Sequence, residues 1–207
     1  MKQEEIDRLN IMMKLENELY EKGYRIIAGV DEAGRGPLAG PVVAGAVILK
    51  KDEYIEGLND SKKISPKKRD KLYDEIIDKC VAYSVGIVDN NIIDEINILE
   101  ATRLAMKKAI EGLEVKPDYL LIDAEKKIDT QIKLSGIIKG DSLSVSIAAA
   151  SIIAKVTRDR MIEQMAKEYP EYEFEKHKGY GTALHIQKIK EYGICNIHRK
   201  SFCKKFI

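Results

Sequence analysis

The sequence predicts an α/β fold, a mixed five-stranded sheet flanked by helices, with a small helical portion at the C-terminal end. Three observations carry this reading. Two early runs, residues 25–31 and 41–49, are rich in Val, Ile and Ala and read as buried strands. Strand-like and helix-like segments then alternate along the chain, the pattern of layered α/β domains. Apolar residues make up 44% of the 207 positions and charged residues 33%, enough for a core and a well-solvated surface, with nothing that suggests disorder.

The elements follow in order. Residues 3–21 show helical spacing at Ile6, Leu9, Met13, Leu15 and Leu19, and Gly23 is a stop signal. A turn, Gly34-Arg35-Gly36-Pro37, joins the first two strands. Ser65-Pro66 is a helix start that runs to about Cys80. Residues 81–88 alternate as a third strand, and 92–113 form a helix with an apolar face at Ile96, Leu99, Leu104, Met106 and Ile110. Residues 119–123 are a fourth strand and 137–139 a fifth. Residues 142–168 read as one long helix whose Ser142, Ser144, Ser146, Ala148, Ala149, Ala150 and Ser151 let it approach the sheet closely. No base is placed to activate these serines as nucleophiles. The tail, 170–207, reads as short helices joined by Gly turns. The organisation expected is a main domain over 1–168, with residues 1–22 as an N-terminal helix, and a small basic helical portion over 169–207.

Net charge is only +1, but its distribution is uneven. Residues 61–71 carry six Lys/Arg against one acid, and 176–207 carry eight against one. Two basic patches are the footprint of a polyanion binder. The apolar runs 41–49 and 144–154 are too short to span a bilayer, and the Met-Lys-Gln-Glu-Glu start lacks a signal-peptide stretch. Cys80, Cys195 and Cys203 are too few for a disulfide scaffold and suit a reducing compartment. A cytoplasmic location with no membrane partner is expected.

The candidate chemistry lies in acids at the ends of apolar elements. Asp31 and Glu32 stand where the first strand meets the Gly turn, Asp123 ends the fourth strand, and Asp141 follows Gly140 before the long helix. Strand ends are where ligands gather in α/β sheets. Clustered carboxylates repel one another, and divalent cations remove the conflict. Mg²⁺ is commonly held by one or two carboxylates plus phosphate, and two ions ~4 Å apart can drive phosphodiester cleavage. Asp141 taken alone is better explained as a helix N-cap. Asp31 follows a wholly apolar run, where an unpartnered charge is costly. Glu32 joins it only if the strand has already turned, since adjacent residues face opposite sides.

Gly34, Arg35 and Gly36 can expose successive backbone N–H groups as an anion nest; by themselves a plain turn is the default, and their place just after Asp31 favours the nest. Lys67 and Lys68 occupy the first turn of the helix after Ser65, where the dipole disfavours cations unless a phosphate binds nearby. Lys62 and Lys63 stand just before them, and a backbone-phosphate contact is expected at this edge.

At this point the residues resemble a known family. Gly29-Val-Asp-Glu-Ala-Gly-Arg-Gly-Pro-Leu-Ala-Gly-Pro-Val-Val-Ala-Gly-Ala-Val resembles the first signature of bacterial ribonuclease HII. Asn59-Asp-Ser-Lys-Lys, Leu121-Ile-Asp-Ala, Lys139-Gly-Asp, Ser151-Ile-Ile-Ala-Lys-Val-Thr-Arg-Asp and His177-Lys-Gly-Tyr-Gly-Thr resemble its later ones, in the family's order. The resemblance runs from about residue 24 to 202. It implies an RNase H-like fold with a C-terminal helical portion. It implies that Asp31, Glu32, Asp123 and Asp141 are catalytic acids binding two Mg²⁺ or Mn²⁺ ions. It implies that Gly34, Arg35 and Gly36 sense the ribonucleotide 2′-hydroxyl, and that Tyr180 packs on the neighbouring sugar. The activity implied is hydrolysis of RNA in RNA–DNA hybrids and 5′ to ribonucleotides embedded in duplex DNA, by a monomer whose partner is nucleic acid. The segment Gly193-Ile-Cys-Asn departs from the family, which often has a proline there.

Other signals are weaker. Cys195, His198 and Cys203 supply too few ligands at the wrong spacing for zinc, and ordinary reduced cysteines are expected. His177 and His185 are expected at the surface or against phosphate. A DNA nuclease on the same fold and a non-catalytic hybrid-binding module are the alternatives; cleavage of an all-DNA duplex tests the first and metal-dependent cleavage the second.

Overall fold

In the computed structural model, which describes residues 1–207, the two early apolar runs form the centre of a five-stranded sheet ordered β3-β2-β1-β4-β5. β1 (Ile27–Ala33) and β2 (Val42–Ile48) pair antiparallel, and β3 (Ala82–Val88) continues antiparallel on the far side of β2. β4 (Tyr119–Asp123) and β5 (Lys133–Ile137) add parallel strands beyond β1. Every residue of β2 is buried, because helices cover both faces. Val42, Ala44, Ala46 and Ile48 join a core with α4 (Asn90–Glu111), while Val47 faces a second core built on α5 (Val145–Ala166) and α3 (Pro66–Lys79).

Small residues set the spacing of these layers. A Cβ on Gly29 would lie 2.0 Å from the Ser146 carbonyl carbon, and one on Gly86 would lie 1.9 Å from the Ala105 oxygen. The serine and alanine face of α5 does bring that helix close to the sheet, and glycines in the facing strands complete the approach. No helix is long and apolar enough to cross a membrane.

Several boundaries differ from expectation, each for a local reason. The N-terminal helix is two: α1 (Gln3–Met12) and α2 (Lys14–Glu21), separated by a turn at Met13, where φ is −81° and ψ −2°. β5 spans Lys133–Ile137 rather than 137–139, because this outer strand mixes Lys, Leu, Ser and Gly and shows no apolar run to read. α4 is broken at Asn97 (φ 67°), whose side chain accepts from the N–H groups of Leu99 and Glu100 and starts a new helix there. The break turns the helix face, so Leu99 is 40% exposed. Ser65 makes no side-chain capping bond at α3. Residue 142 does not begin the long helix: α5 starts at Val145 with Ser144 as its cap, its Oγ accepting from Ile147 N at 3.1 Å. The capping role open to Asp141 is therefore filled by Ser144.

The tail forms α6 (Phe174–His177), α7 (Ala183–Tyr192) and α8 (Lys200–Cys203). It returns to the main domain through an Ala39↔His198 bridge.

Gly86→Ala forces backbone apart between β3 and α4. Overpacking of this kind costs ~1–3 kcal/mol, and at ~2–4 °C per kcal/mol for a chain this size the expected result is a clear fall in Tm by calorimetry. An unchanged Tm would show that the two layers can separate freely.

Candidate active site

β1, β4 and β5 run in the same direction, so their C-terminal ends lie along one edge of the sheet. This is why acids far apart in sequence meet. Asp31 lies one residue past the last rung that β1 shares with β4, Val30↔Ile122, and is 6% exposed. Asp123 is the last residue of β4, and its Oδ1 accepts from Gly140 N at 2.7 Å. Asp141 is buried in a 3₁₀ turn, Gly140–Ser142, just after β5.

Glu32 reaches the group by a route not expected from the sequence. The strand does not turn before it, since β1 pairs with β2 as far as Ala33↔Val43. Instead, the β4 side of β1 is open past Val30, and the longer Glu32 side chain comes within the field of Asp123. Its carboxylate also lies 3.6 Å from Arg35 Nη1.

The electrostatics express the crowding. Burial, then the charges of Glu32 and Asp123, push the Asp31 carboxyl well above its ordinary range. Burial raises Glu32 too, partly offset by Arg35. Asp141 is raised by burial and by the charges of Asp60 and Asp123. Asp60 is a fifth acid that the sequence alone does not single out. It sits between Asn59 and Ser61 in one of the family-like signatures, and an acid preceding two lysines at a polar turn is the available signal.

Lys62 is the cation among these acids. Burial alone would lower its pKa, but Asp31, Asp60, Asp141 and Glu32 outweigh that and raise it. Lys63 is more exposed and donates to Ser142 Oγ at 3.0 Å. The donor set suits a hard divalent cation: all carboxylate oxygen, desolvated, and carrying more negative charge than its neighbours neutralise. No three side chains form a ready ligand set for one ion. That arrangement fits ions held by one or two carboxylates each, with water and phosphate completing the shell.

Beside the acids, Gly34 (φ +99°) turns the chain out of β1, and Arg35 and Gly36 are exposed. Two fully buried arginines hold this turn. Arg199 donates to the carbonyls of Gly34, Arg35 and Gly40 at 2.6, 3.0 and 3.0 Å. Arg158 donates to those of Ala39, Pro41 and Lys178 at 3.1, 3.0 and 3.0 Å. A trans peptide points its N–H opposite its C=O, so the Arg35 and Gly36 N–H groups face away from Arg199. Burial, then the charge of Arg158, pulls Arg199 down to about 9. Both arginines lie inside the family-like signatures or their flank, yet nothing in the sequence marks them as internal.

Tyr180 is brought to the same place. It is 40% exposed, with the Arg158 guanidinium 5.7 Å from its ring centre and Lys155 Nζ at 5.8 Å. A Cβ on Gly36 would lie 4.0 Å from Tyr180 Cε1. Behind it stands a histidine cluster that corrects the surface placement expected of His177 and His185: both are buried, as is His198. The Tyr180 carbonyl accepts from His185 Nδ1 at 3.0 Å, so His185 Nε2 accepts from His198 Nε2 at 3.0 Å, and His198 Nδ1 accepts from Cys195 N at 2.9 Å. The rings pack on Phe174 and Tyr172 because the histidines are neutral and satisfied, which makes them core residues.

A sheet of this order with carboxylates gathered at the ends of its parallel strands defines the class of ribonuclease H-like phosphodiester hydrolases. The sequence profile of the family described as Ribonuclease HII matches residues 28–205, and the chain belongs to that family. It is similar to ribonuclease HII of Acetivibrio thermocellus, 59% identical over 205 residues, covering 99% of this chain and 80% of the relative. The crystal structure of ribonuclease H2 from Pyrococcus horikoshii OT3 matches with a TM-score of 0.72 at 32% identity, over 87% of this chain and 96% of that one. Bst-RNase HIII in complex with Mn²⁺ shares the fold, with a TM-score of 0.67 at 20% identity over 84% and 65% of the two chains. The protein is thus a ribonuclease H, a hydrolase that acts on nucleic acid.

Burial holds His185 and His198 down to about 4 in the folded state. Unfolded histidine titrates near 6.5, so between about pH 6.5 and 4 the unfolded chain binds more protons, and stability from these groups falls as pH falls, by up to ~1.4 kcal/mol per unit for each. The raised carboxylates act with the opposite sign, so the measurement is a difference. The stability gap between wild type and His198→Gln in urea should narrow from pH 7 to pH 5; a constant gap would contradict the neutral network.

Proposed function

We propose that the protein is a metal-dependent endoribonuclease that hydrolyses the RNA strand of RNA–DNA hybrids and cuts on the 5′ side of ribonucleotides embedded in duplex DNA, leaving 5′-phosphate and 3′-hydroxyl ends. The observation that carries this reading is the gathering of Asp31, Glu32, Asp123 and Asp141 at one sheet edge, next to the Gly34-Arg35-Gly36 turn, whose Arg35 and Gly36 are exposed, and Tyr180. The family membership and the Mn²⁺ bound by a protein of the same fold support it.

In this reading the four acids hold Mg²⁺ or Mn²⁺. Two such ions, when bound, supply an activated water and neutralise charge on the leaving oxygen. The protein's own groups do the rest. The outward N–H groups of Arg35 and Gly36 receive the phosphate and the 2′-hydroxyl that marks a ribonucleotide. A site built to bond that hydroxyl rejects a sugar lacking it, because its polar groups lose their partner. Tyr180 rests against the adjoining sugar, and its buried network fixes the backbone that presents it. Lys62 and Lys63 contact backbone phosphate. Residues 1–168 act as the catalytic domain, and 169–207 as the portion that brings Tyr180 and Arg199 to the substrate turn.

A gel assay on duplex DNA holding one ribonucleotide tests the reading. Cleavage is expected with Mg²⁺ or Mn²⁺ and none with EDTA, while an all-DNA duplex stays intact. Asp31→Asn should abolish turnover with the melting curve preserved; full activity in that variant would remove the acids from the mechanism. Replacing Lys62 and Lys63 together by Ala should lower the slope of log affinity against log salt by ~0.9 for each phosphate no longer neutralised. An identical slope would show that these lysines touch no phosphate.

A further inference from the structure

The two segments that meet beside the acids, the loop 57–63 and residues 140–146, which run into the first turn of α5, are gripped from behind by helices outside the stretch matched by the family profile. On α1, Arg8 Nε and Nη2 donate to Glu5 Oε2 and Oε1, both at 2.7 Å. The pair also holds two peptides of the first loop, one through its N–H and one through its C=O. Glu5 Oε1 accepts from Gly57 N at 2.6 Å, and Arg8 Nη2 donates to Leu58 O at 2.9 Å. Gly57 has φ +81°, and Asp60, Lys62 and Lys63 follow within six residues.

On α2, Glu16 grips the second loop. Its carboxylate is 4% exposed, and Oε1 accepts from Ser144 Oγ at 2.5 Å and from Ser146 N at 3.0 Å. Ser144 N in turn donates to Gly140 O at 2.8 Å, which closes the turn that carries Asp141. At the front the loops touch through Lys63 Nζ and Ser142 Oγ at 3.0 Å. The four pieces therefore form a closed ring: α1, the 57–63 loop, the 140–146 loop and α2.

Docking two short helices does not require this. Leu9, Met12, Met13 and Leu19 already bury against the core. Glu16 occupies the same helical stripe as those residues, where an apolar side chain would avoid the cost of a buried charge. Its second oxygen, Oε2, is buried without a partner. Bonding at this position is aimed at the loop ends.

We propose that α1 and α2 are a positioning brace. Glu5 and Arg8 fix the loop carrying Lys62 and Lys63, Glu16 fixes the loop carrying Asp141, and the helix pair sets the gap between them. The inference rests on the reading of those lysines and that acid given above. The ties predict separable effects. Loosening the first loop weakens substrate capture, and loosening the second weakens the ion site.

The test uses the full chain with Arg8→Met, Arg8→Lys, Glu16→Leu and Glu16→Gln. Amide exchange by mass spectrometry reads the loops directly, KM and kcat come from a duplex with one ribonucleotide, and Mn²⁺ affinity comes from calorimetry without substrate. Arg8→Met should speed exchange in 57–63 by about tenfold and raise KM, with kcat within about twofold. Arg8→Lys, the milder change, should show a smaller shift in the same direction and decides the case if Arg8→Met does not fold. Glu16→Leu should speed exchange in 140–146 and weaken Mn²⁺ binding by about tenfold, the usual size of such supporting effects. Glu16→Gln keeps an acceptor oxygen and should stay near wild type. Unchanged loop exchange in folded variants, or Glu16→Gln as impaired as Glu16→Leu, overturns the brace. A wild type that leaves the ribonucleotide duplex uncut refutes the proposed function instead, while the exchange rates still decide the brace.

Discussion

The structure is organised around an electrostatic conflict. Five carboxylates, Asp31, Glu32, Asp60, Asp123 and Asp141, are drawn toward one end of a sheet, partly out of water and close enough to raise the pKa of several of their number. Left alone, such a cluster would spread apart or take up protons. It is kept together by the packed elements that carry it. Asp31 and Asp123 stand on neighbouring, largely buried strands, and the sheet is packed closely on α4 and α5 through its glycines. Rigid packing behind and concentrated negative charge in front belong to one design, because charge of this density is held only by a scaffold that cannot relax.

Support for the substrate turn follows the same logic with opposite sign. Gly34, Arg35 and Gly36 sit over two buried guanidinium groups whose partners are backbone carbonyls. Carbonyl dipoles satisfy the donors without cancelling the charge. A positive interior therefore underlies the turn while a negative cluster stands beside it, and the two lie next to each other along the line where a phosphate and its counter-ions would meet.

Much of this was legible in the sequence, and the exceptions are instructive. Strand ends could be read because apolar runs, Ile-Ile-Ala-Gly-Val and Leu-Leu-Ile, stop sharply at Asp31 and Asp123. The closeness of α5 to the sheet could be read from its serines and alanines. β5 could not, since an outer strand of Lys, Leu, Ser and Gly carries no periodic signal. Glu32 was legible as a residue type, but its route to the pocket depends on where β4 ends beside β1, a tertiary fact. Glu16 was in principle visible as an acid within an apolar helical stripe, whereas Arg158 and Arg199 look like ordinary surface arginines until the turn they support is folded over them.

The histidine cluster has a consequence for how the surface behaves. Histidine is the side chain whose unperturbed charge changes between pH 5 and 8. All three of this chain are interior, and burial holds each of them below its ordinary value. The outer face, with its Lys-rich patches, therefore presents no free imidazole. Its attraction for a polyanion comes from lysine and arginine, with no contribution from histidine.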